Sequence, residues 1–475
     1  MSARFTVADV TAALGRAPEA APGREAPRAP GAEPIVFGRV STDSRRLLPG
    51  DLFVALKGDR YDGSVFLAEA ARAGAAGAIG EDRPFEGRER VAFWPVPDGR
   101  AALQALAAWH RRRLPARVVA VTGSNGKTTT KELVAAVLSQ RWPTARTIGN
   151  LNNQVGVPLT LLEIDASSAW AVVEMGMNRP GEIAPLAAIT APEIGIVTNV
   201  AASHLEGLGT LEAILEEKLA LGRALEEDGL LVYFGDQPRL ATAARRLPCR
   251  KLSFGLDRSN DLAPERWELD EDGRGRFVLD GKTYRLRLAG RHNIANALAA
   301  VAVGRVAGLT PGEIAVGLAE VDTLAMRMQV ERWGEVTAIV DCYNANPESV
   351  ISAAGTLATL AGARRRIAVL GEMLELGPGG PALHEEVGRA LADSGAVDLL
   401  VAVGDGAAGI ADGARAGGLA SERFADHDAA TRWLVERIEP GDAILFKASR
   451  GAALETMVAP IREACLEAIA RQAAR

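Results

Sequence analysis

The chain has 475 residues, too many for one hydrophobic core, so two to four domains are expected. Apolar residues make up 48% and charged residues 24%, the balance of a soluble globular protein. A formal charge of −6 with no compensating basic stripe argues against a nucleic-acid partner, and no run of 18 apolar residues is present to insert into a membrane.

The first residues, MSARFTVADVTAAL, lack a basic stretch followed by a long apolar core, so no signal peptide is expected. Arg16 to Pro34 is rich in Ala, Pro, Gly and Arg and reads as a mobile loop before a strand near Ile35. STDSR (Ser41 to Arg45), PGDLFVAL and an Ala-rich helical stretch, Phe66 to Ala76, form a small α/β unit ending near Pro97. A helix over Gly99 to Arg113 then leads to the strand Val118 to Val121. The triplets Arg111 to Arg113 and Arg364 to Arg366 abut strands and read as solvated flanks.

After that strand comes GSNGKTTT, Gly123 to Thr130, and then a helical pattern. Strand, Gly loop and helix in this order make a phosphate-binding loop. The glycines let backbone N–H groups point at a polyphosphate, and the helix adds its positive dipole end. Lys127 is placed to reach the terminal phosphates and Thr128 to hold Mg²⁺. Val121 stands where the first Gly of the usual motif belongs. The ATP-binding candidates here are Gly123, Ser124, Asn125, Gly126, Lys127, Thr128 and Thr129.

Further along, Asn150, Asn152 and Asn153 crowd the loop GNLNNQVGVPLT, where they either form a plain turn or grip a polar substrate. The apolar runs AWAVVEMG (Ala169 to Gly176) and EIGIVTNV (Glu193 to Val200) suit parallel strands buried on both faces. Glu174 ends the first, either as a metal ligand or as an acid at a strand end. His204 lies in the loop after the second. Lys218 follows on a helix whose buried stripe is Leu211, Ile214, Leu215 and Leu219, and by pattern alone it reads as a surface lysine. Asp257 to Leu288 alternates and reads as a short antiparallel excursion before the helix in GRHNIANALAAVAV.

A second α/β set begins near Leu324, with strands VTAIVDCYN, RIAVLGEM, DLLVAVGD and AILFKASR. Arg327 falls at the junction of the two sets, serving either an interdomain salt bridge or a transferring phosphoryl group. Asp341 ends a strand where ribose hydroxyls could bind, and Ser449 to Gly451 end the last strand, where a carboxylate could bind. Cys249, Cys342 and Cys465 are too scattered for a disulfide framework or a zinc site and fit a cytosolic protein. The expected fold is α/β with three domains: residues 1–98 small and N-terminal, 99–322 carrying the phosphate loop on a mostly parallel sheet, and 323–475 Rossmann-like.

GSNGKTTT, GNLNNQVGVPLTLL, VVEMGMNRPGEI, TNVAASHLEGLGT, GRHNIANALAA, DCYNANP and KASRG occur in the order seen in the Mur ligase superfamily, which the chain resembles from STDSR to KASRG. EMGMNRPGEI and DCYNANP resemble the branch that joins D-alanyl-D-alanine to a UDP-MurNAc-tripeptide. The resemblance implies an ADP-forming, ATP-dependent ligase of peptidoglycan synthesis. ATP phosphorylates the tripeptide carboxylate, and the dipeptide amine then attacks the acyl phosphate. It implies that Lys127 and Thr128 bind phosphates, and that two Mg²⁺ ions are held by Thr128, Glu174, His204 and a carbamylated Lys218. Lys127, Lys218, His204 and Arg327 become the catalytic candidates. Asn293 and Asn296 fall at the adenine, Arg327 near the terminal phosphate and Asp341 at the ribose. Ser41, Thr42, Ser44 and Arg45 fall in the uridine-nucleotide site, and Asn150, Asn152, Asn153, Asn344, Ser449 and Arg450 among the other substrate contacts.

Ser64 stands where relatives often carry His, Ala448 where Gly is common, and Arg16 to Pro34 looks like an insertion. Two other readings stay open. A sister ligase adding the third amino acid to UDP-MurNAc-dipeptide usually carries a DNPR-type motif, which this chain lacks. A nucleotide-gated regulator would hydrolyse ATP without any acceptor. Nothing in the sequence calls for more than a monomer in the cytoplasm.

Overall fold

The computed structural model describes residues 4–19, 35–58 and 61–473, with side chains to 467. It is an α/β protein built on three mostly parallel sheets. The N-terminal sheet has four parallel strands, Val40–Ser41, Leu52–Val54, Gly77–Gly80 and Ala92–Pro95. Phe37 and Trp94 are fully buried beside them and meet edge-on, each burial contributing roughly 1.5–3 kcal/mol. The helical stretch expected to Ala76 is shorter, a 3₁₀ turn Gly63–Phe66 running into the helix Leu67–Arg72.

The stretch Arg16 to Pro34 lies mostly outside the described residues, but its first part is not loose. Glu19 N–H donates to Phe93 O at 2.8 Å and Arg16 bonds Pro95 O, so this part is pinned to the edge strand. Sequence composition could not register that backbone pairing.

The helix Gly99–Arg111 starts at Asp98, whose carboxylate accepts from the N–H groups of Arg100 and Ala101. It buries Leu103 and Leu106 in a core that runs without a break from Trp94 to Val118 and Val173. The central sheet is all parallel. Its strands in spatial order are Arg250–Phe254, Leu230–Phe234, Ile194–Val197, Arg117–Thr122, Trp170–Glu174 and Thr144–Arg146. Val118 to Val121 are fully buried, as a strand covered by helices on both faces requires. From Trp170–Glu174 the chain crosses to Ile194–Val197 on the other side of Arg117–Thr122. The loops that follow these three strands therefore share one crevice at their carboxyl ends.

Residues 266–289 form an antiparallel three-stranded sheet, consistent with their alternating pattern. The last sheet runs Gln329–Trp333, Val336–Asp341, Asp442–Lys447, Arg365–Leu370, Leu399–Val403 and Ser421–Phe424, parallel except for the first pair. Gln329–Trp333 and Ser421–Phe424 are edge strands with exposed positions, which hid them from a hydrophobic-run reading.

Candidate active site

The strand Arg117–Thr122 ends at Gly123, and the helix Lys127–Ser139 begins after Gly126. Gly126 is left-handed at φ 77° and supplies no side-chain cap, so the first N–H groups of the helix face open space. The loop is strapped from the neighbouring strand end. Thr198 Oγ1 donates to Asn125 O at 2.6 Å, and Asn125 N–H donates to Asn199 Oδ1 at 2.8 Å. A methyl group at Gly123, whose φ is +152°, would stand 1.8 Å from Thr198 Oγ1. Gly123→Ala is therefore expected to destabilise the fold by about 2–3 kcal/mol in urea unfolding. An unchanged midpoint would show that the strap yields.

This loop opens on a cavity of about 1290 Å³. It is lined by Ser124 to Thr129, the three asparagines of the 150–153 loop, Glu174, His204, Asn293, Asn296, Arg327, Asp341 and Asn344. Residues some 200 positions apart thus converge where the crevices of two sheets meet. Ser41, Thr42, Ser44 and Arg45 do not line it, and neither do Lys218, Ser449 or Arg450. Arg45 pairs with Asp43 on the N-terminal unit and pulls that carboxyl down to about 2.

Lys127 lies along its own loop, donating to Gly123 O at 2.8 Å and Ser124 O at 3.3 Å. Burial lowers its pKa and the Arg327 charge adds to that, while Glu174 and Glu375 oppose. Glu174 is buried; Asn152 Nδ2 donates to its Oε1 at 2.7 Å, and its Oε2 has no hydrogen-bond partner. An orphaned carboxylate oxygen is costly unless something charged completes it, and a divalent cation beside Thr128 fits that need. Lys131, 0% exposed, holds the ground behind it. Its Nζ donates to Thr147 O at 2.8 Å and sits 3.9 Å from the free oxygen of Glu174. Sequence pattern missed Lys131, although it stands four residues after Lys127 on one helix face.

No cluster of three His, Cys, Asp or Glu side chains able to hold a metal exists among the described residues. Lys218 is buried at 1% exposure, against its surface-lysine reading by helical pattern. It makes no hydrogen bond or ion pair among the described residues, and burial, then Lys127, push its pKa well below the ordinary lysine value. Glu217 beside it accepts from the N–H groups of Gly181 and Ile183 at 2.8 and 2.7 Å, which fixes the helix. His204, at φ 56°, faces Glu375, at φ 63°, across 2.5 Å from Nδ1 to Oε2. His204 across this contact holds the Glu375 carboxyl below its usual range, with Lys127 adding to the effect and burial opposing it.

Asn153 Oδ1 accepts from Val155 and Gly156 N–H, a turn-forming role. Asn293 Nδ2 donates to Ala289 O, and Asn296 Nδ2 donates to Asn293 Oδ1. Arg327 stacks over Tyr343 at 3.8 Å and has no ion pair among the described residues, so the salt-bridge option is not realised. Asp341 Oδ2 accepts from Lys447 Nζ at 2.6 Å, and Oδ1 accepts from Met328 N–H at 3.2 Å. Lys447 also donates to Asn344 O at 2.9 Å. Ser449 is buried and accepts from Leu374 N–H at 2.9 Å, and Arg450 is exposed against Glu455.

His292 was also missed. It lines the cavity next to Ser352 Oγ, and burial pushes its imidazole down to about 4, with Lys447 and Arg291 adding to the effect and Asp341 opposing it. The unfolded chain takes up this proton near 6.5 and the folded chain only near 4. Stability should therefore fall by about 3 kcal/mol as pH drops through that window. Urea midpoints across it should fall less in His292→Gln, and parallel curves would refute the assignment.

Comparison with known proteins decides the family. Residues 37–111 match the Mur ligase family catalytic domain, 121–304 the Mur ligase middle domain, and 326–450 the Mur ligase glutamate ligase domain. The Escherichia coli UDP-N-acetylmuramoyl-tripeptide–D-alanyl-D-alanine ligase is 39% identical over 438 residues, covering 90% of this chain and 94% of that protein.

The chain belongs to the Mur ligase family.

Two solved Mur ligases extend the likeness to three dimensions. MurF from Acinetobacter baumannii superposes with a TM-score of 0.85 at 32% identity, covering 97% of this chain and 99% of that one. MurF ligase from Thermotoga maritima in complex with ADP gives 0.81 at 30% identity, covering 90% and 98%. Both span all three sheets of this Mur ligase, so the likeness is not confined to the phosphate loop.

Proposed function

We propose that this chain is the ATP-dependent, ADP-forming ligase that joins D-alanyl-D-alanine to UDP-MurNAc-tripeptide in peptidoglycan synthesis. The observation that carries this reading is the one cavity shared by the phosphate loop, Glu174 and, from the C-terminal unit, Arg327 and Asp341. Relatives 36–39% identical over about nine-tenths of this chain bear the dipeptide-adding name, so addition of the third amino acid is not favoured.

Residues 1–98 hold the UDP moiety through Ser41, Thr42, Ser44 and Arg45; residues 99–322 hold ATP; residues 323–475 present the dipeptide near Asn344, Ser449 and Arg450. Gly123 to Thr129 wrap the phosphates, Asn293 and Asn296 hold the adenine, and Asp341 holds the ribose. A tripeptide carboxylate oxygen attacks the terminal phosphorus and ADP leaves. The dipeptide amine then attacks the acyl carbon, loses a proton, and phosphate leaves as the amide forms. Lys127 and Arg327 supply positive charge where negative charge builds on the transferring phosphoryl group. Mg²⁺, when bound through Thr128 and Glu174, neutralises phosphate oxygens. Asn152 orients Glu174 for it, and Asn150 and Asn153 shape the same loop.

We assign Lys218 as a carbamate. Burial and the nearby Lys127 charge favour the neutral amine, which would add CO₂ and release one proton, giving an anionic oxygen ligand that together with His204 would suit a second Mg²⁺. The reading needs no residue from a second copy of the chain. ATP and a uridine nucleotide as substrates, with three unbridged cysteines, support work in the cytoplasm.

The test is phosphate release with ATP, Mg²⁺, UDP-MurNAc-tripeptide and D-Ala-D-Ala, omitting each in turn. A requirement for all four, with a pentapeptide product by mass, is expected. Release with UDP-MurNAc-dipeptide and one amino acid would move the protein to the sister ligase. Release without any peptide would leave an ATPase.

A further inference from the structure

Asn125 is the third residue of the phosphate loop, and its main chain has no freedom left. Its N–H donates to Asn199 Oδ1, and its carbonyl accepts from Thr198 Oγ1 and, at 3.2 Å, from Asn199 Nδ2. The side chain instead leaves the central unit and meets Asn346, 221 positions further on. Asn346 Nδ2 donates to Asn125 Oδ1 at 2.8 Å, and Asn125 Nδ2 donates to Asn346 Oδ1 at 3.3 Å. This is a reciprocal amide pair between the phosphate loop and the third unit.

Asn346 is 1% exposed and is the N-cap of the helix Pro347–Leu357. Its Oδ1 also accepts from Ser349 N–H at 3.0 Å. That bond fixes which end of the amide is oxygen, because a flipped Asn346 would set NH₂ against the Ser349 N–H. The cap thereby dictates the donor–acceptor sense that Asn125 must match. Asn346 and Asn125 are both neutral, so the joint adds no charge beside the phosphates. The residue before Gly126, whose backbone turns the loop into its helix, is thus held from two units at once.

We propose that Asn346 is a positioning residue for nucleotide binding: through its amide pair with Asn125, the third unit holds the phosphate loop in its binding shape. This rests on the ligase reading for its consequence in catalysis, but not for its consequence in nucleotide binding. Closure of the third unit and shaping of the loop then become one event. ATP affinity falls when the joint is cut even though Asn346 lines neither the cavity nor any phosphate position.

The test uses the full chain and two probes, Mg-ADP by calorimetry and steady-state turnover with varied ATP. Asn346→Ser keeps a capping oxygen and removes the amide. Asn346→Asp keeps the cap and the acceptor and removes the donor. Asn125→Ala removes the partner. Each is expected to weaken Mg-ADP binding and raise the KM for ATP by about tenfold, with the thermal midpoint and the KM for D-Ala-D-Ala little changed. The Asn125→Ala, Asn346→Ser double variant should be no worse than either single one. Additive losses, or normal Mg-ADP affinity in the folded Ser and Asp variants, would overturn the proposal. Coupled losses of Mg-ADP affinity in a protein that makes no pentapeptide would uphold the joint and refute the ligase assignment instead.

Discussion

Lys127→Ala should slow turnover by roughly 10²-fold or more while leaving the folded protein at least as stable. The ammonium is already partly stripped of water, which lowers its pKa, and it satisfies itself on Gly123 O and Ser124 O. Those two carbonyls are weak partners for a cation. A polyphosphate offers stronger ones at the same loop, so the side chain needs only a short movement to exchange them. Removing the ammonium relieves a desolvated charge in the folded state and forfeits the charge that matters once phosphoryl transfer begins. Phosphate release and a thermal midpoint measured on the same preparation separate the two effects. Turnover within a few-fold of the parent would remove Lys127 from the phosphate site.

Lys218→Ala should also cost at least about 10²-fold, the scale of losing a group that completes a metal site. The variant should regain part of that activity when short carboxylic acids are added, because a small carboxylate fits the space of the missing carbamate. The physical basis is the lysine's isolation: it is buried, it has no partner among the described residues, and Lys127 lies near enough to disfavour a second cation. Both effects favour the neutral amine, the form that adds to CO₂. Mass spectrometry under CO₂ should show the added carbamate. Full activity in Lys218→Ala, with no response to added acids, would end the carbamate reading.

Much of the candidate site was legible because its residues sit beside elements with strong local signatures. The phosphate loop announces itself through glycines between an apolar strand and a helix, and Glu174 and Asp341 stand at the ends of apolar runs. Arg327 was placed at the junction of two sheet systems, where it lines the shared cavity. Lys218 was misread by helical periodicity, since it lies beside the apolar stripe and a helix can bury more than one face. Lys131, His292 and Asn346 were passed over. Asn346 did carry a local signal, a capping residue directly before Pro347, but that signal speaks of a helix start and not of a partner 221 positions away.

By itself, then, the sequence determined the order of the buried strands and the helices between them, the glycine loop and the residues at strand ends, because these follow from chain-local periodicity and turn chemistry. Tertiary structure alone decided that Lys218 and Lys131 are buried, that Glu174 keeps an oxygen without a hydrogen bond, and that Asn125 meets Asn346. Burial, charge proximity and hydrogen-bond partnership depend on which distant segments the parallel sheets bring side by side, and no window of sequence contains that information.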